Sequence, residues 1–196
     1  MAAGETLNEA MIAGLRRIPT GGDYRFEPVP RVGPEDPTNP RDPTHDGVSR
    51  ELTHRGEVVA RAATDGATYC CGVTFEVWFE AAREAGALDD RGPEELRDLV
   101  ASWFCPVMGH GGAATALIDA GLGVLVDPAD ARPGDLVQFW RSVDLSAPSG
   151  HSVVFLGWEG DAMRYWSSQP ATGGVGEHSE VPGRDWQVHA ARPLRR

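Results

Sequence analysis

The chain has 196 residues, 41% of them hydrophobic and 24% charged, a balance that suits one globular domain with a sizeable core and excludes a disordered chain. The formal net charge is −11 and the pI about 4.9, which argues against nucleic acid or an anionic membrane surface as a partner. All 18 basic residues are Arg, which together with the richness in Ala, Gly and Pro resembles the codon bias of a GC-rich genome.

Met1 to Arg17 holds no apolar stretch of the about 7–15 residues that a secretory signal requires, and no apolar run approaches the ~18 residues of a membrane span. The expectation is a soluble chain without membrane insertion, cytoplasmic or exported by a leaderless route. Thr6-Leu7-Asn8-Glu9 fits a capping box, with Thr6 as N-cap and Glu9 reaching back. Leu7, Met11, Leu15 and Ile18 then follow at helical spacing. From Pro19 to Gly47 the chain is rich in Pro, Gly and Asp and lacks periodicity, so residues 1–48 read as a helix plus an irregular, surface-wrapping extension to a domain over 49–196. A segment of this kind serves either as decoration or as a groove wall.

Between Ser49 and Ala63 two readings stay open, a helix starting at Ser49-Arg50-Glu51-Leu52 or a strand over Glu57 to Arg61. A helix then runs from about Cys70 to Ala85, with Gly86 to close it. Val73, Val77 and Ala81 form its apolar stripe, and Phe75, Trp78, Phe79 and Ala82 widen it until the helix must lie buried between layers. Pro93 with Glu94-Glu95 opens the next helix, which reaches about Phe104, and a third runs from Gly111 to Ala120 with Gly121 after it. Strands follow at Leu136 to Trp140, Ser152 to Trp158, Met163 to Ser168 and Trp186 to Ala190, with Gly160-Asp161 as a hairpin turn. Helices first and an antiparallel sheet after them is an α+β order.

Three Cys, at 70, 71 and 105, do not make a disulfide framework: the number is odd and adjacent residues do not readily bridge. Zinc sites space their thiols by a few residues, so Cys70-Cys71, even with Cys105 and His110, is a poor metal set, and neither metal nor cofactor is expected. A thiol in the first turn of a helix is different. There the free N–H groups and the positive end of the dipole favour the thiolate, and a neighbouring imidazole can take the proton. Cys70 opens the central helix, and His151, after the turn Ser149-Gly150, opens a strongly apolar strand. Alternation on the next strand puts Tyr165, Ser167 and Gln169 on one face, where the amide oxygen of Gln169 suits an imidazole N–H and Ser167 is the fallback. Cys71 lies about 100° further round the helix and remains an alternate nucleophile. Tyr69 is a candidate to assist the oxyanion. His45 and His54 lie in polar surroundings and read as surface residues. His178 lies in a Gly-rich loop that could line the site, and His189 falls in the last strand.

Three stretches resemble the motifs of the NlpC-type cysteine peptidases and amidases of papain-like fold, relatives of the cysteine- and histidine-dependent amidohydrolases. Tyr69-Cys70-Cys71-Gly72-Val73-Thr74 is similar to that family's Asp-Cys-Ser-Gly-Leu-Val nucleophile motif in the Cys, the Gly and the apolar residue. Pro133-Gly134-Asp135-Leu136-Val137-Gln138-Phe139-Trp140 resembles its Pro-Gly-Asp-Leu-Val-Phe-Phe strand and is the most specific element. His151-Ser152-Val153-Val154-Phe155-Leu156-Gly157 resembles the strand that carries the catalytic His. Their order and spacing agree over roughly residues 68 to 170. Two departures stand out, Tyr69 for the acid and Cys71 for the Ser. The resemblance implies a Cys70–His151 pair, a polar third residue on the next strand, and hydrolysis of an amide or peptide bond, with stem peptides of the bacterial wall as default substrate. The same chemistry would serve an acyltransferase or deamidase. The missing acid keeps open a silent binding domain of the same fold.

Overall fold

The computed structural model describes residues 6–26, 44–104, 109–144 and 149–195. Its helices are α1 (Asn8–Leu15), α2 (Cys70–Glu84), α3 (Pro93–Trp103) and α4 (Gly112–Asp119). Its strands are β1 (Gly21–Gly22), β2 (Leu52–His54), β3 (Glu57–Ala60), β4 (Gly123–Val126), β5 (Leu136–Ser142), β6 (Ser149–Glu159), β7 (Ala162–Gln169), β8 (Gly174–Glu180) and β9 (Gln187–Pro193). Seven strands form one antiparallel sheet in the order β1-β8-β7-β6-β5-β9-β4, and β2 and β3 form a separate hairpin. The architecture is α+β. Among the described residues no helix is long and apolar enough to cross a membrane.

The central helix is α2. Every residue from Gly72 to Ala82 is buried, because α1 packs on one side of it and β6 and β7 on another. It ends as its sequence anticipates: Gly86 takes φ 73°, its N–H bonds to Arg83, and the N–H of Ala87 bonds to Ala82. A strap formed by Asp46 and Gly47 crosses its first turn so closely that a Cβ on Gly72 would fall 2.2 Å from a backbone carbon of Gly47. This is the physical reason for Gly in the Cys-Cys-Gly run. Downstream, Ser49 N–H and Oγ donate to the buried Glu76 carboxylate at 2.7 and 2.8 Å, and burial pushes that carboxyl upward.

The Pro133-Gly134-Asp135 corner is structural. Asp135 is fully buried and accepts from Asn8 Nδ2 at 2.8 Å, from Arg132 N–H at 2.8 Å, and from Arg192 Nε and Nη2 at 3.0 and 2.9 Å. One carboxylate thereby ties α1, the turn before β5, and β9 together. Gly134, at φ 89°, leaves room for Asn8, whose carbonyl oxygen would lie 2.6 Å from any Cβ there.

The two sheet faces differ. Leu136, Val154, Trp166 and Val175 face the helices and join the main core. Val137, Phe139, Val153, Phe155, Met163 and Tyr165 form a second, smaller cluster.

Several local expectations are corrected. Thr6 is not an N-cap: it bridges to Leu194, and Leu7 N–H bonds to Pro193, so pairing with the last strand displaces the capping box, and Leu7 caps without a side-chain bond. In keeping with their spacing, Leu7, Met11, Leu15 and Ile18 pack into the common core as the stripe of a packing helix, while β1 pairs with β8. The 49–63 region resolves to the hairpin β2–β3, turned at Arg55 and Gly56, both at positive φ. The Gly-rich loop with His178 is strand β8, paired along β7 from Gln169↔Gly174 to Met163↔Glu180. Its glycines hide it from propensity, yet a Cβ at Gly174 would meet the Gly21 carbonyl oxygen at 2.2 Å. His45 is not on the surface but fully buried, its Nδ1 accepting from Gly47 N–H at 3.1 Å.

Candidate active site

Cys70 and Cys71 occupy the first two positions of α2, and the N-cap Tyr69 makes no capping side-chain bond. Their sulfurs lie 3.9 Å apart and both residues are half-buried. The strand they face is β6, at the point where its ladder with β7 gives way. The β6–β7 register runs from Glu159↔Ala162 to Val154↔Trp166, and two residues further on the Ser152 carbonyl accepts instead from Ser167 Oγ at 2.7 Å. Strand separation leaves the backbone N–H of Ser152 within reach of the Cys70 sulfur.

Alternation along β6 then sends His151 and Ser152 to opposite faces. His151 packs edge-on against Phe139 and Tyr165, at centroid distances of 5.6 Å each, and its Nε2 lies 2.7 Å from Gln169 Oε1. An amide oxygen can only accept, so Nε2 carries the hydrogen and Nδ1 holds the lone pair. Ser152 points to the helix side, donates to Gln138 Oε1, and lies 3.4 Å from Cys71 Sγ. The Cys70 thiol is held well below its ordinary value. The side chain of Cys71 contributes most, then the hydrogen bond and charge of His151 and the N–H of Ser152, against the upward push of burial. The two sulfurs are thus distinguished: Cys70 answers to His151, and Cys71 contacts Ser152.

Gln169 is 5% exposed, and its Nε2 is a buried donor without a partner among the described residues. Leaving such a group unpaired costs about 1–3 kcal/mol, and such orphans call for an explanation, a functional one among them. A cleft of about 290 Å³ lies beside it, lined by His151, Gln169, Tyr24, Tyr165, Arg141 and His178 among others. Arg141 Nε donates to Glu180 Oε2 at 2.7 Å, and Tyr165 Oη also donates to Glu180. Burial and the Glu180 carboxylate push the Tyr165 hydroxyl upward, whereas Arg141 and Tyr165 hold Glu180 low in spite of its burial.

Tyr24 is a site residue that sequence reasoning missed. Residues 23–25 run parallel to Thr68, with Thr68 N–H donating to Asp23 O at 3.2 Å and Arg25 N–H to Thr68 O at 3.0 Å. This sets Tyr24 in the wall of the cleft, within electrostatic reach of the thiols: burial first and then the charges of Cys70 and Cys71 push its hydroxyl upward and keep it a donor. The signal was only the Pro/Gly-rich stretch read as decoration or groove wall. Tyr69, in contrast, is 1% exposed; its ring packs among Phe26, His45 and Phe104 and its hydroxyl donates to His45 O at 3.2 Å, away from an oxyanion role. Ser167 is spent on the Ser152 carbonyl rather than on His151. His54 and His189 bond to backbone carbonyls of Arg91 and Gly109. Cys105 lies outside the described residues. Among the described residues no three His, Cys, Asp or Glu side chains converge as a metal set.

Comparison of the chain with family models, with curated proteins and with solved structures returns no match.

Proposed function

We propose that this protein is a cysteine hydrolase that cleaves an amide or peptide bond, with Cys70 as nucleophile, His151 as base and Gln169 as the group that orients the ring. The observation that carries the reading is the convergence of a first-turn thiol, held low, on an imidazole whose far nitrogen bonds to an amide oxygen. The thiolate attacks the carbonyl carbon, and the His151 ring, holding the proton taken from Cys70, passes it to the leaving amine. A thioester to Cys70 remains. Water, deprotonated by His151, then attacks it, releasing the acid and restoring the thiolate. The oxyanion formed in each half is met by backbone N–H groups at the start of α2, with the Tyr24 hydroxyl as a side-chain donor.

The three motif resemblances, together with a helix-then-antiparallel-sheet order, support a papain-like, NlpC-type assignment. They make stem peptides of the bacterial wall the first substrates to try. Fold likeness alone carries no substrate, so this choice is analogy.

The reading is tested by iodoacetamide labelling across pH with the modified residue located by mass spectrometry. Cys70 is expected to label first, with a rate that rises at pH values well below the ~8.5 of a free thiol. His151→Ala should shift that rise toward higher pH. Preferential labelling of Cys71, or a His151→Ala profile unchanged from wild type, removes the Cys70–His151 pair.

A further inference from the structure

The second thiol sits in a place that the hydrolytic scheme leaves unused. Cys71 Sγ lies 3.9 Å from Cys70 Sγ and 3.4 Å from Ser152 Oγ. The proton of Ser152 is already committed, because its hydroxyl donates to Gln138 Oε1, and the Gln138 amide in turn donates to the Phe139 carbonyl at 3.2 Å. Ser152, Gln138 and the backbone of β5 therefore form a closed buried chain that ends in a lone pair on Ser152 Oγ. When Cys70 is ionised, the proton at the junction of Ser152, Cys71 and Cys70 that can turn toward either neighbour is the Cys71 S–H. The serine oxygen and the neighbouring sulfur are both acceptors within its reach. A neutral Cys70 is a poor acceptor, so the proton belongs on Ser152. An anionic Cys70 is a charged acceptor, and charge-assisted hydrogen bonds are the stronger kind. Turning from one to the other needs only rotation of the S–H hydrogen, with no heavy atom moved.

We infer that Cys71 is a positioning residue for the nucleophile: its thiol hydrogen, parked on Ser152 Oγ while Cys70 is protonated, swings to the Cys70 sulfur when that sulfur carries charge. The inference rests on Cys70 being the nucleophile. It accounts for the thiol at a position where the resembling motif has Ser, since both side chains offer one donor there. It also gives β6 two opposed functions at one dipeptide. His151 removes the Cys70 proton from the cleft side, and the Ser152–Cys71 contact supplies a donor from the helix side. No bond between sulfurs is made or broken and no electron is transferred, so no oxidant is involved.

The test is the pH profile of Cys70 alkylation in full-length wild type, Cys71→Ala and Cys71→Ser, with every modified residue located by mass spectrometry and folding checked by circular dichroism. Cys71→Ala should raise the apparent pKa of Cys70 by about one unit, which lowers the labelling rate about tenfold below both values. Cys71→Ser, which restores a donor, should stay within a few tenths of a unit of wild type. Cys71→Val, close in size and without a donor proton, takes the place of the alanine variant if that variant does not fold. A donor-free variant whose profile superimposes on wild type overturns the inference, as does a serine variant that behaves like the alanine one. Either result leaves Cys70 labelled and the hydrolase reading standing. Wild-type label on Cys71 instead overturns both.

Discussion

His151 and Ser152 are neighbours on β6, yet the two faces they occupy differ in what they offer a thiol. The His151 face opens on a cleft of about 290 Å³ walled by aromatic rings and by the Arg141–Glu180 pair. Among the described residues one of its donors, the Nε2 of Gln169, has no partner. The Ser152 face is closed under α2, and its hydroxyl, its amide partner Gln138 and Cys71 bond among themselves. A nucleophile needs access for substrate and a proton acceptor on one side, and fixed donors for its charge on the other. A strand delivers both from two consecutive residues, because the side-chain period is two. The break in the β6–β7 ladder is what lets the thiol reach in between.

The comparison is broken most sharply by His151→Ala. If the cleft face supplies the base, single-turnover acylation should slow by about 10²–10⁴-fold while circular dichroism stays native. Wild-type acylation in this variant would leave Cys70 without a base and remove most of the case for a hydrolase. Tyr24→Phe is the next effect in size. Loss of one oxyanion donor is expected to lower kcat by about 10²-fold, the lower end of the range for such donors, with KM little changed. A KM effect alone would make Tyr24 a binding wall rather than a donor.

The smallest effects separate the two polar residues of β7. Gln169→Ala should slow acylation about tenfold, short of the loss from removing the base itself, because it frees the ring without removing it. Ser167→Ala should leave the rate unchanged and cost about 1 kcal/mol in denaturant unfolding, the usual worth of one hydrogen bond, here to the Ser152 carbonyl. A Ser167 variant slower than the Gln169 variant would reverse their assignment.

Much of this molecule was legible from local pattern. The stripe and end of α2, the starts of α3 and α4, the hairpin at Gly160 and the strands over β5, β6 and β7 follow from periodicity and turn chemistry, which act over a few residues. So does the placement of Cys70 at a helix start and of Gln169 on the face of β7 that holds Tyr165. What failed was of another kind. Strand β8 has glycines where propensity asks for β-branched residues, and it exists because β7 offers a ladder on one side and β1 a close backbone approach on the other. Thr6 carried a good capping signal but lies where Leu194 can pair with it. His45 looked polar and exposed, and the strap over α2 buries it.

The site divides in the same way. That a helix-start thiol and a strand-start imidazole are present is a property of the sequence alone, since each depends on its own few neighbours. Which of two adjacent thiols meets the imidazole depends on where the N-terminus of α2 lands against β6, a matter of packing across 81 residues of chain from Cys71 to Ser152. That Tyr69 turns into the core while Tyr24, 46 residues before Cys70, lines the cleft depends on the same packing. Local energetics sets what a residue can become, and long-range contacts, each of which must offset the entropy of closing its loop, decide which residues meet.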